Sequence, residues 1–484
     1  VAAPSFLFQE KYGSLSATGF AKETTFGTAV TPVTQFIPTS ANTFVQDPSL
    51  FFPDLMQAIR DKQVYPLYGE EKNSGAITAP LFPSNGVQLL IYAIGADGTP
   101  AQSITLTGAT GSTSSLTVTG LSSTANCYVG ATVTGTNIAA GTTIASIPSS
   151  SSIVLSKAPT GAISSSSLTI ATGTLYQHNI TQNTTAPFIP TVTVEKNLGN
   201  FQSLQFAGCM VNKYQLKAGT GNKEAEFTAD MIAQTVQATT TPSSVVLINE
   251  SPYVFAEFNL SLGGYNLYQA TNFQLDIEND LKETYTFNGS HALQFLTPTQ
   301  LKVSGMFDVV FDTLTAGSIT STTGTVTAGS STITSVASTT GLVVGQGITA
   351  TGAASAVLLV PGTTITALTA NTITLSQPAA ITPGAAATLN FFNPYDFFTQ
   401  ATSATSTTAA LSFSLVHPSS NGTIIINMPN VKLSKTDQKV AVGSVITETV
   451  NFEAYYNPAG GSTPSAQSSS TISAIILNGV STQY

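Results

Sequence analysis

The sequence predicts an all-β protein: two tandem, matching framework domains with short helices, each interrupted by one small β module. Three observations predict it. Charged residues make up 8% of the 484-residue chain, against about 25% in ordinary globular proteins. Thr, Ser, Val and Ile are abundant instead, which suits strands with neutral, hydroxyl-bearing outer faces. Two stretches, Ser103–Ala171 and Thr315–Asn390, match each other and hold a single charged residue between them, Lys157. With both removed, the remainder divides into halves that also match. The expected units are 1–102 with 172–240, the insert 103–171, 241–314 with 391–457, the insert 315–390, and a tail, 458–484.

Composition bounds the function. Hydrophobic residues are 42%, too many for a disordered chain. A surface so poor in charge is expected to be covered largely by neighbours. The net charge of −9 argues against tight nucleic-acid binding, which needs clusters of Lys and Arg, but fits a surface past which DNA slides. Cys127 and Cys209 lie in different units, so no disulfide is expected, and reduced thiols fit synthesis in a cytoplasm. Val1–Glu10 lacks a basic region followed by a long apolar run, so no secretory signal is expected. Val343–Gly362 is broken by Gln346, Thr349, Thr351 and glycines and is read as part of a β module, not a membrane span.

The inserts share three features: Val129-Gly130 and Val344-Gly345, Gly141–Ile144 and Gly362–Ile365, and Ile153–Ser156 and Ile373–Ser376. The second copy is six residues longer between its two shared glycines, mainly around Ala353–Leu358. Short β-branched runs between Gly, Asn and Pro turns read as compact β modules. They resemble the small modules, loosely called Ig-like, of phage structural proteins.

In the first half, strands are expected at Gly75–Leu81, Thr191–Glu195, Phe201–Phe206, Cys209–Lys217 and Glu224–Gln234, with a helix at Val87–Ile94. In the second half, strands are expected at Thr271–Glu278, Leu301–Phe311, Ala410–Val416, Thr423–Asn427, Asn430–Leu433 and Ser444–Ala454, with a helix at Tyr395–Thr399. The first insert follows its helix and the second precedes its own. Asn457–Ser470 reads as a linker, and Ile472–Leu477 as a strand that adds to its own sandwich or to a neighbouring ring.

The segments Leu15–Ser40, Phe206–Ala218 and Ile424–Pro458 resemble the tail tube proteins of long-tailed bacteriophages. The resemblance covers Leu15–Leu314 without the first insert, and Phe391–Pro458. It implies β-sandwich domains joined side by side into rings, whose inner sheets form one barrel. The rings stack into the tube through which DNA leaves. A chain with two such domains implies three copies per pseudo-six-fold ring, with a hexamer as the alternative. The implied partners are other copies of the chain, the tape measure protein, the tail terminator and tail-tip proteins, with genomic DNA in transit. The N-terminal arm Val1–Gly27 is a second candidate for contacts between rings.

A barrel wall needs strands that alternate between faces. Glu224, Glu226, Thr228 and Asp230 alternate with Ala225, Phe227, Ala229 and Met231; Thr447, Thr449, Asn451 and Glu453 alternate with residues including Val450 and Phe452. These eight polar residues are the candidates for a lumen face, where carboxylates and hydroxyls would repel phosphate. An ordinary solvated sheet face shows the same alternation. Glu448 interrupts the apolar side. The inserts are expected outside the tube, where they would obstruct a contractile sheath, so a sheathless tail is expected.

No enzyme site is expected. His178, His291 and His417 have no metal-ligand spacing and read as surface or loop histidines. Asp276, Glu278, Asp280 and Glu283 lack the Gly and terminal Glu of a Ca²⁺ loop, and adjacent Glu70-Glu71 reads as a solvated turn. No cofactor is expected. The rival reading is an exported adhesin-type surface protein built of β modules.

Overall fold

The structure, a computed structural model, describes residues 16–53, 66–124, 126–149, 151–182, 189–199, 202–221, 223–246, 250–310, 321–351, 358–360, 362–383, 385–394, 396–397, 409–417, 422–440, 445–456 and 470–484. Most of the arm Val1–Gly27, the helix Tyr395–Thr399, the extra residues around Ala353–Leu358 and the linker Asn457–Ser470 lie outside the described residues.

The framework strands of the first half are β1 (Ala17–Lys22), β2 (Val45–Asp47, preceded by the short strand Ala41–Asn42), β3 (Lys72–Pro80), β4 (Tyr176–Thr181), β5 (Val192–Asn197), β6 (Ser203–Gly219) and β7 (Glu226–Ala233). Those of the second half are β8 (Ala270–Glu278), β9 (Lys302–Val310), β10 (Ala409–Val416), β11 (Gly422–Lys439), β12 (Thr447–Ala454) and β13 (Ser473–Asn478). The helix α1 (Val87–Ile94) is buried along its whole length, as a sequence apolar on nearly every side requires, and its polar Gln88 donates to the Tyr92 hydroxyl at 2.5 Å.

Eight strands form one antiparallel inner sheet in the order β2, β3, β7, β6, β8, β9, β12, β11. Each half contributes four strands in the same arrangement. The halves meet where β6 pairs with β8, from Lys213 opposite Glu278 to Gly219 opposite Asn272. α1 lies against β6 and β8 at this seam. Buried Asn279 fastens it, donating to the Ala93 carbonyl of α1 at 3.2 Å and to the Val211 carbonyl of β6 at 3.0 Å.

The second layer is made by the same long strands bending over. The first part of β6 pairs with β5 and with Thr235–Thr239, and β5 pairs with β1. The first part of β11 lies between β10 and β13. The sequence suggests a break in each of these strands, and the structure shows none. In β6 the apparent turn is a bulge at Gly208, whose φ of +68° suits glycine. In β11 the bulge falls at Pro429-Asn430, where the missing N–H of proline leaves no ladder bond unmade. A single apolar core, including Phe20, Leu90, Phe206, Tyr214, Phe227, Phe273, Phe413 and Phe452, fills the space between the layers.

The segment Ile472–Leu477 becomes part of β13, an interior strand paired with β11 on one side and β4 on the other. Of the two destinations expected for it, the structure shows its own sandwich. The Lys22–Glu23…Phe26–Gly27 run near the N-terminus has a packing reason. The buried Glu23 carboxylate accepts from the Gly208 amide at 2.8 Å, Thr193 Oγ1 at 2.8 Å and the Gly27 amide at 3.1 Å.

Residues 103–171 form a six-stranded sheet around Leu106, Val118, Ile144, Ile153 and Leu168. Residues 321–392 form two three-stranded sheets with the same order of pairing, around Ile333, Ile348, Ile365, Ile373 and Leu389. The glycines common to both copies hold positive φ: Gly130 (+90°) with Gly345 (+95°), and Gly141 (+67°) with Gly362 (+85°). Gly130 and Gly345 also make the same bond, each amide donating to an isoleucine carbonyl at 2.8 Å (Ile144 and Ile365). The two inserts touch. Leu116 and Val154 of the first pack with Val360 and Ala380 of the second, and the Leu116 amide donates to the Ala380 carbonyl at 3.0 Å. The second is seated on the second sandwich, Phe392 meeting the Tyr265 ring edge-on at 5.4 Å.

Candidate functional site

The open face of the inner sheet turns away from α1 and the core. Along β7, Glu226, Thr228 and Asp230 are half-buried on this face while Phe227, Ala229 and Met231 are buried behind it. Glu224 is exposed just before β7, held by a backbone bridge to Val254. On β12, Thr447 and Asn451 are half-buried, Glu453 is exposed, and Thr449 is covered by donating to Asp308 Oδ1 at 2.6 Å. One row of opposed residues, Thr228, Gln215, Asp276, Ser304 and Glu453, crosses both halves. It places the β7 and β12 candidates on the same face, because directly opposed residues share a side.

That face is not simply acidic. Asp47, Glu226, Asp230, Asp276, Glu278, Asp308, Asp437 and Glu453 share it with Lys72, Lys213, Lys217, Lys302, Lys432, Lys435 and Lys439. The period-two reading of β7 and β12 applies equally to Lys213-x-Gln215-x-Lys217 and Lys435-x-Asp437-x-Lys439; these neighbouring strands carry the cations that the sequence reading left unassigned. At the seam, cross-strand pairing neutralises charge locally. Lys213 Nζ lies 3.0 Å from Glu278 and 3.5 Å from Asp276. Its hydrogen bond to Glu278 raises the Lys213 pKa, against an opposing effect of burial. Asp276 also accepts from Gln215 at 2.7 Å and Gln274 at 2.8 Å. With seven lysines interleaved among eight carboxylates, the face carries no net excess of cations to hold phosphate.

Glu448 lies on the core side, where β7 has Phe227. Opposite it stands Gln438, where β6 has Leu216; its Nε2 donates to Glu448 Oε1 at 3.4 Å. Burial raises the Glu448 pKa, and nearby Asp396 adds to the rise. A carboxyl with a raised folded-state pKa favours folding only while protonated, and that contribution is lost as pH rises through the folded-state value. Ionised Glu448 therefore opposes folding at neutral pH. Glu448→Gln is expected to stabilise the protein at pH 7.5 by about 1–3 kcal/mol, the scale for a poorly satisfied buried polar group. The gain should disappear as pH falls below the ordinary carboxylate range. Urea unfolding of both proteins at several pH values measures this.

Two histidines depart from the expectation of surface or loop positions. His178 on β4 is fully buried, its Nδ1 2.8 Å from Asp97 Oδ2 and its Nε2 donating to the Val480 carbonyl at 2.9 Å. The residues that cover it include Val480 and Tyr484, which are remote in sequence. His417 is buried against Tyr253 and lies 2.9 Å from Ser251 Oγ. His291 is exposed. Both cysteines are buried without a disulfide; burial pushes the Cys127 thiol up to about 12 and, with Glu23 nearby, raises that of Cys209. Neither has the low-pKa setting of a reactive thiol.

Asp280 is held by Lys282 and Thr299, and Glu71 accepts from Gln46 and Asn73, so these carboxylates are engaged in local bonds. Among the described residues no group of three or more His, Cys, Asp or Glu is placed to hold a metal ion, and no helix is long and apolar enough to cross a membrane.

A family model described as phage tail tube protein matches residues 13–391, well over half of the chain. A search of curated proteins found no match.

Proposed function

The chain belongs to the phage tail tube protein family, and from this premise we propose that three copies close into a ring whose inner sheets form one barrel. Its place is the virion tail, and its role there is structural. The observation that carries the ring reading is the eight-strand sheet, which already joins two equivalent four-strand units edge to edge. Repeating that join is a heterologous contact, which closes when the rotation returns to its start.

Size favours three copies over six. Three chains supply twenty-four inner strands; at about 4.8 Å between strands and a tilt of about 40°, the backbone cylinder is about 48 Å across. Six chains would make it about 95 Å across on the same geometry, far wider than a DNA duplex requires. The open face then lines the channel, with Glu224, Glu226, Thr228, Asp230, Thr447, Thr449, Asn451 and Glu453 among its residues. DNA passes this wall of interleaved charges without being held. Stacked rings form the conduit for ejection, with the tape measure, terminator and tip proteins as neighbours. The inserts sit outside, over the second sandwich, consistent with a tail that has no contractile sheath.

Electron microscopy of the purified protein is expected to show rings or tubes, and native mass measurement of a soluble ring three chains. Six chains would overturn the stoichiometry, and a persistent monomer the assembly itself.

A further inference from the structure

The inner sheet ends, among the described residues, on two edges with no strand beyond them. Among the described residues, β2 and Ala41–Asn42 pair only with β3, and residues 432–439 of β11 pair only with β12. Exposed apolar side chains gather at both edges: Val45, Leu50 and Phe51 near one, Val440, Val445 and Ile446 near the other. Bare edges of this kind accept a strand from another chain.

The internal seam indicates which strand, and in what register. The duplication places β11 where β6 stands and β2 where β8 stands. A bulge interrupts β6 between Val211 and Lys213, and another interrupts β11 between Leu433 and Lys435, so Lys435 corresponds to Lys213. On the other side, Gly75 of β3 opposes Met231 and Gly305 of β9 opposes Phe452. Three residues before each glycine stands a lysine: Lys72, opposite Asp47, and Lys302, opposite Glu278. Asp47 therefore corresponds to Glu278, the residue that Lys213 grips across the seam at 3.0 Å.

Building on the ring reading, we infer that β11 of one chain pairs antiparallel with β2 of the next copy in the register of the internal seam, with Lys435 opposite Asp47. The same register sets Thr436 opposite Gln46, Asp437 opposite Val45 and Lys439 opposite Thr43. Both strands thus preserve, at matching positions and with the same polarity, the ion pair that spans the covalent seam. Slipping by two residues would bring Asp437 against Asp47, a destabilising like-charge pair. Slipping by one would turn the charged side chains to the core side.

Engineered disulfides test the register in the full-length chain. Three double variants are compared: Lys435→Cys with Asp47→Cys, Thr436→Cys with Gln46→Cys, and the two-residue slip Asp437→Cys with Asp47→Cys. In an antiparallel pair, opposed residues alternate between wide and close spacing, so at least one of the two in-register variants meets disulfide geometry. Oxidised tubes of that variant should give covalent dimers and trimers on a denaturing gel, at least tenfold more than the slipped variant. All substituted side chains except Thr436 are exposed, and circular dichroism checks that each variant folds. A second test needs no cysteine: Lys435→Glu and Asp47→Lys should each impair tube formation, and the double variant should restore it. Tubes that form but link only through the slipped pair, or through none, would overturn the register while leaving the ring reading intact. Folded protein that forms neither rings nor tubes would overturn both.

Discussion

Deleting residues 470–484 is expected to unfold the second sandwich rather than trim a loose end. β13 is an interior strand, with β11 on one side and β4 on the other. Ile472, Ile475, Ile476 and Leu477 are all at most 5% exposed. Burying each such side chain contributes about 1.5–3 kcal/mol, so the four together contribute about 6–12 kcal/mol. That is comparable to the whole stability of a typical domain, about 5–15 kcal/mol. The deletion also removes the Val480 carbonyl from His178 and the Tyr484 amide from Asp97, leaving a buried polar pair short of partners. Thermal melting and limited proteolysis of the truncated chain should show loss of the cooperative transition. A melting temperature within a few degrees of the full-length protein would refute this account.

Gly305→Ala is expected to destabilise the protein by about 3 kcal/mol or more, at or above the usual range for overpacking. A Cβ at Gly305 would lie 2.2 Å from the Gln274 carbonyl oxygen and 2.6 Å from the Phe452 ring. The first is ladder backbone of β8, a strand of the seam itself; the second is a core ring stacked with Phe273. The carbonyl cannot move without opening the sheet, and the ring cannot move without disturbing the core. The equivalent Gly75 is as confined, its Cβ falling 2.3 Å from Phe44 Cα. Gly479→Ala is the control, since nothing lies within 4 Å of its added methyl. Chemical denaturation of the three variants should show two large losses and one small one. Equal effects would remove close approach as the reason for the paired glycines.

What the sequence disclosed and what it hid follow from the range of the interactions. Alternation in β7 is a local property, and Phe227, Ala229 and Met231 are buried as their spacing requires. The shared glycines of the inserts are also local, each marking a turn with positive φ. The long strands β6 and β11 were legible only in pieces, because a bulge with Gly208 or Pro429 looks like a turn when read alone. His178 was illegible because its buried setting is made by Asp97 and Val480, from two distant segments. The mixed charge of the open face needed strand adjacency: Lys213 and Asp230 are neighbours only once β6 and β7 pair. Glu448 stands out in the sequence as an interruption of the apolar side, but its opposition to Gln438 needs the structure.

The pairing of β6 with β8 inside one molecule has a kinetic consequence. Two units on separate chains must find each other by diffusion, at a rate set by how much protein is present. Tethering makes the encounter unimolecular, with an effective concentration that for short linkers reaches the millimolar range. Half of the joints in a ring would then form during folding, whatever the supply of subunits. Assembly would slow less steeply on dilution than it would for a single-unit relative.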